Sequence, residues 1–407
     1  MIPSPRKLGL GLVLVVAAYY GAFACWPALF FALGINHYSV WFIDTFALLA
    51  SNDAVTRGLN PYVPNPLDYF GRPHVYSHWW LHLRDLGLTR ADAWWLGLAL
   101  VATFAVVALA RLRPRSVGEL GWYAAVACSS PILLAVDRAN NDLVIFVLLA
   151  VLVPCLGAAR REVRWLAPLL VAVATLLKYY PAAAAIVLLA AGERREVRAR
   201  VALGALLLAL AGLSVAADLR DFGPLAPRPE GLLSFGSTAL AHALGWDGVV
   251  PKVLALGVAV GVTVWCWWRR PLGDWEPGDA ARTDWLHFIL GAALLTGCFF
   301  ASLNFGYRWI FALWLAPWLW RLPGDPEAPA QARRLVRIVR GLLFFVLWWD
   351  PFACFIINRL VGALPAPTIT KLAEIAFLVE QPFDWALFLG LLVFLAHFTR
   401  TSLRRLA

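Results

Sequence analysis

The chain has 407 residues, 61% of them hydrophobic and only 15% charged, with 21 Trp and 24 Phe and a mean hydropathy of +0.70. Soluble domains carry about 45 to 50% apolar and about 25% charged residues, so these values exclude an ordinary soluble fold. The formal charge of +10 would suit an anionic partner such as nucleic acid, and where the charges fall decides that question.

The N-terminus is basic, and an apolar run from Leu8 to about Leu33 is too long for a signal peptide, so it reads as an uncleaved first helix over about 8 to 30. Further apolar segments follow at about 93 to 111, 117 to 136, 141 to 158, 164 to 177, 179 to 192, 200 to 217, 249 to 268, 285 to 302, 305 to 321, 336 to 357 and 383 to 399. Many approach the roughly 20 residues that cross about 30 Å of hydrocarbon. Twelve crossings would place both ends on one side. The fifth and sixth are short, and Lys178-Tyr179-Tyr180-Pro181 between them supplies a charge and a helix breaker where a hairpin is needed. One bent span is the competing reading, and it would invert every later loop. No polar stretch is long enough to bury a core of its own. The expected fold class is therefore all-α, a polytopic transmembrane bundle forming one domain over 1–407.

Alternating spans leave 23 of the 35 Lys and Arg on one side, among them Arg111, Arg160, Arg194, Arg333 and Arg404, and 12 on the other; the acidic residues divide 10 and 15, giving +13 against −3. The positive-inside rule makes the first side cytoplasmic. Orientation thus accounts for the basic excess with no nucleic acid, leaving membrane lipids as the anionic contact. The expectation is a multi-pass plasma (inner) membrane protein with both termini cytoplasmic. Its six cysteines lie in apolar runs without a CxxC pair and read as small buried hydrophobes.

Three segments on the acidic side are long: 31–92, 218–248 and 358–382. In the first, Val40 to Val55 mixes apolar residues with Asp44, Ser51 and Asp53, as in a helix lying along the membrane surface. Gly58-Leu59-Asn60-Pro61-Tyr62 ends it, and Trp79, Trp80, Trp94 and Trp95 fit an interfacial aromatic belt.

Polar residues that hydrophobicity would exclude gather at helix ends on this same side: Asp137-Arg138-Ala139-Asn140-Asn141-Asp142, Lys178-Tyr179-Tyr180 and Asn304-Phe305-Gly306-Tyr307-Arg308. Any one alone reads as a solvated hairpin or a helix cap. Together with Asp44 they offer carboxylates, amides and cations on one face, beside long apolar runs where ionisable groups are functional candidates. Such a face suits sugar transfer from a lipid phosphate. A carboxylate removes the acceptor hydroxyl proton, Lys and Arg hold the departing phosphate, Tyr and Trp stack on sugars, and Asn bonds hydroxyls.

The order of Asp44, thirteen intervening residues, Gly58-Leu59-Asn60-Pro61-Tyr62, then Asp137 to Asp142, Leu177-Lys178-Tyr179-Tyr180-Pro181 and Asn304 to Arg308 resembles the bacterial glycosyltransferase family 87 membrane proteins. These belong to the GT-C class and include polyprenyl-phosphomannose-dependent mannosyltransferases. The likeness runs from about residue 40 to 320, through short motifs. It implies a hexosyltransferase of the cell envelope that moves a sugar, mannose first, from a polyprenyl-phosphate donor to a glycolipid or glycan hydroxyl outside the cytoplasm. The implied mechanism is inversion with Asp44 as general base. Where the family motif resembles Arg-Gly-Asn-x-Asp, this chain has Ala139 in the glycine position.

Asp53 is the alternative base if the surface helix is rotated. Lys178 and Arg308 are the candidate donor-phosphate ligands, and Arg138, Asn141, Asp142, Tyr179, Tyr180, Asn304 and Tyr307 the candidate sugar or acceptor contacts. Asp68, Asp85 and Asp92 read as loop and cap residues. Asp350, before Pro351 inside an apolar run, either satisfies a proline-broken helix or has a functional role. His37, His74, His78, His82 and His242 lie on the same side as the motifs; His78 and His82 are spaced i, i+4 without an HExxH pattern, so no metal is expected. No cofactor is required, the lipid-linked donor being a substrate. A transporter or a flippase for a lipid-linked sugar is the rival class. Transporters tend to show internal repeats and polar sites at the midplane, and this chain shows no repeat of fixed period.

Overall fold

The computed structural model describes residues 4–407 apart from Asn36, Ser39, Ala191, Arg228, Glu230 and Ser302. It is a bundle of helices, the form that lets an apolar chain satisfy its own backbone in lipid. Helix α1 (Pro5–Cys25) and the short α2 (Ala28–Ala32) open it, and α3 (Ile43–Thr56) lies in the first long loop. Short 3-10 segments at His78–Leu86 and Arg90–Asp92 lead into α4 (Ala93–Arg111). Next, α5 (Val117–Ala127) and α6 (Ser130–Arg138) are two halves bent by 52°, with Pro131 at the start of the second half. Helices α7 (Asp142–Ala150), α8 (Leu152–Leu156), α9 (Arg161–Arg164) and α10 (Leu166–Leu177) are short, and a 3-10 segment, Tyr180–Leu189, follows. The remaining helices are α11 (Arg194–Phe222), α12 (Ala239–Ala243), α13 (Val249–Arg269), α14 (Asp279–Ala301), α15 (Ala312–Arg321), α16 (Ala330–Leu360) and α17 (Ala366–Leu406). Strands β1 (Ser234–Phe235) and β2 (Asn304–Phe305) pair antiparallel, Ser234 opposite Phe305.

Among the described residues seven helices are long and apolar enough to cross a membrane, and eight if the bent α5–α6 pair is one span. The expected segments at 141–158, 164–177, 179–192 and 305–321 are short or broken helices. A 12-residue α10 rises only about 18 Å, so helix length does not carry a count of twelve.

The two short segments around Lys178 form a hairpin. At its base Arg164, just before α10, grips Glu196 at the start of α11 with bonds of 2.7 and 2.8 Å. Beyond the 3-10 return, Arg200 of α11 donates to the carbonyls of Leu188 (3.0 Å) and Ala190 (2.5 Å). Pro168 and Leu188 both close on Gly204. Entry and exit therefore meet the same stretch of α11.

Charged groups sort to the two ends of the bundle. One end holds the Arg111, Asp284, Arg321 and Glu119 network and the clasp of Arg400 and Arg404 on Asp274. The other holds Asp44, Asp142, Lys178 and Arg308. Between them α14 is buried almost all round, as a central helix must be. Gly291 allows the Phe311 carbonyl within 2.8 Å of where a Cβ would stand. By contrast α13 exposes Val253, Leu256, Val260 and Trp268, an apolar face suited to lipid.

Candidate functional site

At the end opposite the arginine networks, one amide joins the two charged halves of a buried cluster. Asn140 donates from Nδ2 to Asp44 Oδ2 (2.7 Å). Its Oδ1 accepts from the Asp142 N–H (2.9 Å) and from Lys178 Nζ (3.2 Å). Asp142, fully buried, receives Lys178 Nζ at 2.5 Å and the Tyr180 hydroxyl at 2.6 Å on Oδ1. Its Oδ2 stands 3.9 Å from Arg308 Nε. Arg308 lies over the rings of Tyr180 (4.9 Å) and Tyr179 (5.9 Å). Lys178 lies over Tyr76 (5.6 Å) and Tyr307 (5.7 Å). Aromatic faces hold cations without neutralising them.

The local sequence explains these placements. Ala139 ends α6 with φ 40° and ψ 52°, the left-handed conformation that costs an L side chain about 1–2 kcal/mol and that glycine adopts freely. The strained turn is tied down by Thr45, whose hydroxyl donates to the Ala139 carbonyl (2.8 Å), and by the Phe42 N–H on the Asp137 carbonyl (2.8 Å). These two bonds dock the first turn of α3, and with it Asp44, onto the end of α6. Phe42 is itself left-handed, φ 62°.

Asp44 is buried, with Oδ1 3.4 Å from Arg72 Nη1. Arg72 in turn makes a two-pronged pair with Asp68 at 3.0 and 2.9 Å. Burial raises the Asp68 pKa, but the hydrogen bonds and charge of Arg72 outweigh it and hold the carboxyl below its ordinary range. Asp68 also accepts the N–H groups of Phe70 and Arg72, as a loop-capping residue should. His74 is buried against the Ser77 carbonyl, and burial lowers its pKa to about 4.

The other candidates fall unevenly. Asp53 lies nine residues after Asp44, which at 100° per residue is the opposite face of α3; it pairs with Arg90 at 3.6 Å. Asn304 donates to the Cys298 carbonyl (2.7 Å) and so closes the end of α14. Tyr307 stacks on Phe305 at 5.6 Å. Asp85 and Asp92 bond His82 and Thr89 in exposed turns. His78 faces Asp218 (2.7 Å) and His242 faces Asp247 (2.6 Å). His37 meets Asp137 at 2.7 Å beneath the site.

Asn140, Arg72 and Tyr76 escaped the sequence reading. Asn140 stands in the quoted hexapeptide, where nothing local distinguishes it from Asn141. Arg72 with Asp68 at i, i+4 was the available signal for the second pair.

Several buried groups of the cluster have no hydrogen-bond partner among the described residues: both ends of the Asn141 amide, Arg308 Nε and Nη1, Arg138 Nε and Asp142 Oδ2. Arg138 faces the Tyr38 ring at 5.6 Å. Each unsatisfied buried group costs about 1–3 kcal/mol. Groups left in this way are the ones that water or a polar ligand can bond.

Residues 81–283 match the model of glycosyltransferase family 87. The match takes in Asp137 to Asp142 and Leu177 to Pro181, while Asp44 and the Asn304 to Arg308 motif lie outside it. The resemblance read from the motifs is thereby shown, and the chain is a membrane glycosyltransferase in the general sense of that family. No curated protein and no solved structure matches the chain.

Proposed function

We propose that this family 87 glycosyltransferase moves a sugar, mannose by its resemblance to the polyprenyl-phosphomannose-dependent members, from a polyprenyl phosphate to an acceptor hydroxyl. The observation that carries the reading is the set of unpartnered Arg308 and Asn141 groups beside Asp44, at the acidic end of the bundle. Arg308 and Lys178 take the donor phosphate. Asn141, Arg138 and the Tyr179, Tyr180 and Tyr307 rings take the sugar and acceptor. Asp142 is an internal counter-ion, since Lys178 and Tyr180 already occupy Oδ1.

Asp44 removes the acceptor proton as that oxygen attacks the anomeric carbon from the face opposite the leaving phosphate. The C–O bond to polyprenyl phosphate breaks, the phosphate keeps the electron pair, and the configuration inverts. A general base of this kind contributes roughly 10² to 10⁴ in rate. Stabilising charge as it grows on the leaving oxygen is the work of the cations.

The charge sorting supports an orientation with this end outside the cytoplasm, both termini inside, and twelve passes of which four run through short helices. Helix α3 then lies at the outer surface of an inner-membrane protein. The test is a panel of polyprenyl-phosphate sugars offered to purified protein with glycolipid acceptors, scored by released polyprenyl phosphate. Turnover of one or more of these donors is the expected result. Transfer only from nucleotide sugars would reject the lipid-phosphate donor.

A further inference from the structure

Asp350 lies in the membrane-crossing part of α16, is 5% exposed and precedes Pro351. A carboxyl there is costly, and it is not satisfying the helix that the proline interrupts. Its Oδ2 accepts the N–H of Leu233 at 2.5 Å. Leu233 belongs to the connection between α11 and α13, 117 positions away in sequence. Glu380 and Asp384 of α17 are buried nearby, and none of the three forms an ion pair among the described residues.

Leu233 has φ 62°. A leucine in that left-handed region persists only where its surroundings over-determine it, and two hydrogen bonds do so. Asp350 holds its N–H, and its carbonyl accepts the Gly306 N–H at 2.7 Å. The approach is close enough that a Cβ on residue 306 would stand 2.9 Å from the Leu233 oxygen. The residues that follow form β1, which pairs with β2 just before Gly306-Tyr307-Arg308. Phe235 then packs against both Trp309 (4.9 Å) and Phe388 (5.8 Å), whose rings also touch each other. One carboxyl oxygen is thus linked through Leu233 and Gly306 to the turn that carries Arg308.

We propose that Asp350 is a positioning residue for Arg308. It fixes Leu233 in its left-handed conformation, and Leu233 fixes the turn that aims the guanidinium into the site. The proposal rests on the phosphate-binding role given above to Arg308.

The test compares Asp350→Asn, which keeps a carbonyl acceptor for the Leu233 N–H, with Asp350→Leu, which has none. Three quantities are read: affinity for polyprenyl phosphate, turnover, and hydrogen exchange at the Leu233 and Gly306 amides. Asp350→Asn should stay within about threefold of the parent in all three. Asp350→Leu should bind polyprenyl phosphate about tenfold more weakly, near the effect of one lost hydrogen bond, with faster exchange at both amides.

Parent-like affinity and exchange in Asp350→Leu would overturn the proposal. So would equal loss in both variants, which would point to a charge or proton role. Arg308→Ala separates the two readings. If it leaves affinity unchanged while Asp350→Leu still speeds exchange at Gly306, the link from Asp350 to the turn stands and only the phosphate role of Arg308 fails. Should Asp350→Leu not fold, Gly306→Ala presses on the Leu233 carbonyl from the other side. A parent-like affinity in that variant also overturns the proposal.

Discussion

Asp142→Asn separates fold stability from donor binding, because the two should change in opposite directions. The carboxylate is fully buried, 2.5 Å from Lys178 Nζ and 3.9 Å from Arg308 Nε. Asparagine keeps the shape and an acceptor for Lys178 or Tyr180 but leaves two buried cations without a counter-ion. Breaking a buried pair by removing one partner costs about 3–5 kcal/mol, so the ligand-free protein should melt at a markedly lower temperature. Donor phosphate, however, would no longer meet the Asp142 charge. A phosphate oxygen bound to Lys178 would lie roughly 5 Å from the Asp142 carboxylate, where like unit charges repel by about 3 kcal/mol at an effective dielectric of about 20. Removing that repulsion should tighten polyprenyl-phosphate binding by up to about a hundredfold. It should also enlarge the thermal shift that the lipid produces. The assay is thermal unfolding in detergent across a titration of polyprenyl phosphate, checked by direct binding. Weaker binding by a folded Asp142→Asn protein would refute the reasoning and return Asp142 to the role of a direct sugar contact.

Asp44→Asn should lower transfer by roughly 10² to 10⁴ with donor affinity kept, whereas Asp53→Asn, on the opposite face of α3 and paired with Arg90, should change turnover by only a few-fold; near-normal turnover by Asp44→Asn would remove it as the base. The His74 pKa is lowered to about 4 by burial against about 6.5 in an unfolded chain. Its contribution to holding the first loop is therefore full above pH 6.5 and is lost as pH falls toward 4. Protection of the loop amides from hydrogen exchange should weaken across that window by on the order of 3 kcal/mol, with Asp218 and His78 as the nearby titratable groups; an identical pH profile in His74→Gln would exclude His74 as the source. For orientation, a thiol introduced at Leu86, 74% exposed in the first loop, should react with an impermeant reagent from outside the cell. Labelling from the cytoplasmic side alone would reverse the assignment of the site.

The membrane class, the helical fold and the separation of charge between two ends follow from residue type and period. Hydrocarbon excludes unpaired charge whatever the packing, so apolar runs and their basic flanks are legible in one dimension. The motif residues Lys178, Asp142 and Arg308 were legible for a related reason: charge at the edge of an apolar run needs a partner, and the structure brings these three together. The choice between neighbours was not legible. Asn140 and Asn141 are adjacent and identical in type, yet the left-handed turn at Ala139, held by Thr45 from 94 positions away, turns Asn140 onto Asp44 and leaves the Asn141 side-chain amide with no hydrogen-bond partner among the described residues. Asp44 and Asp53 share one helix, and only the docking of its first turn on the end of α6 decides which faces the cluster. Asp350 declared itself as a costly residue, but its partner is the backbone N–H of Leu233, and a backbone group carries no mark in a sequence. The chain's composition fixes which groups must leave the hydrocarbon or find partners. Which partner each one finds depends on contacts between segments far apart in sequence, and so only the tertiary structure decides it.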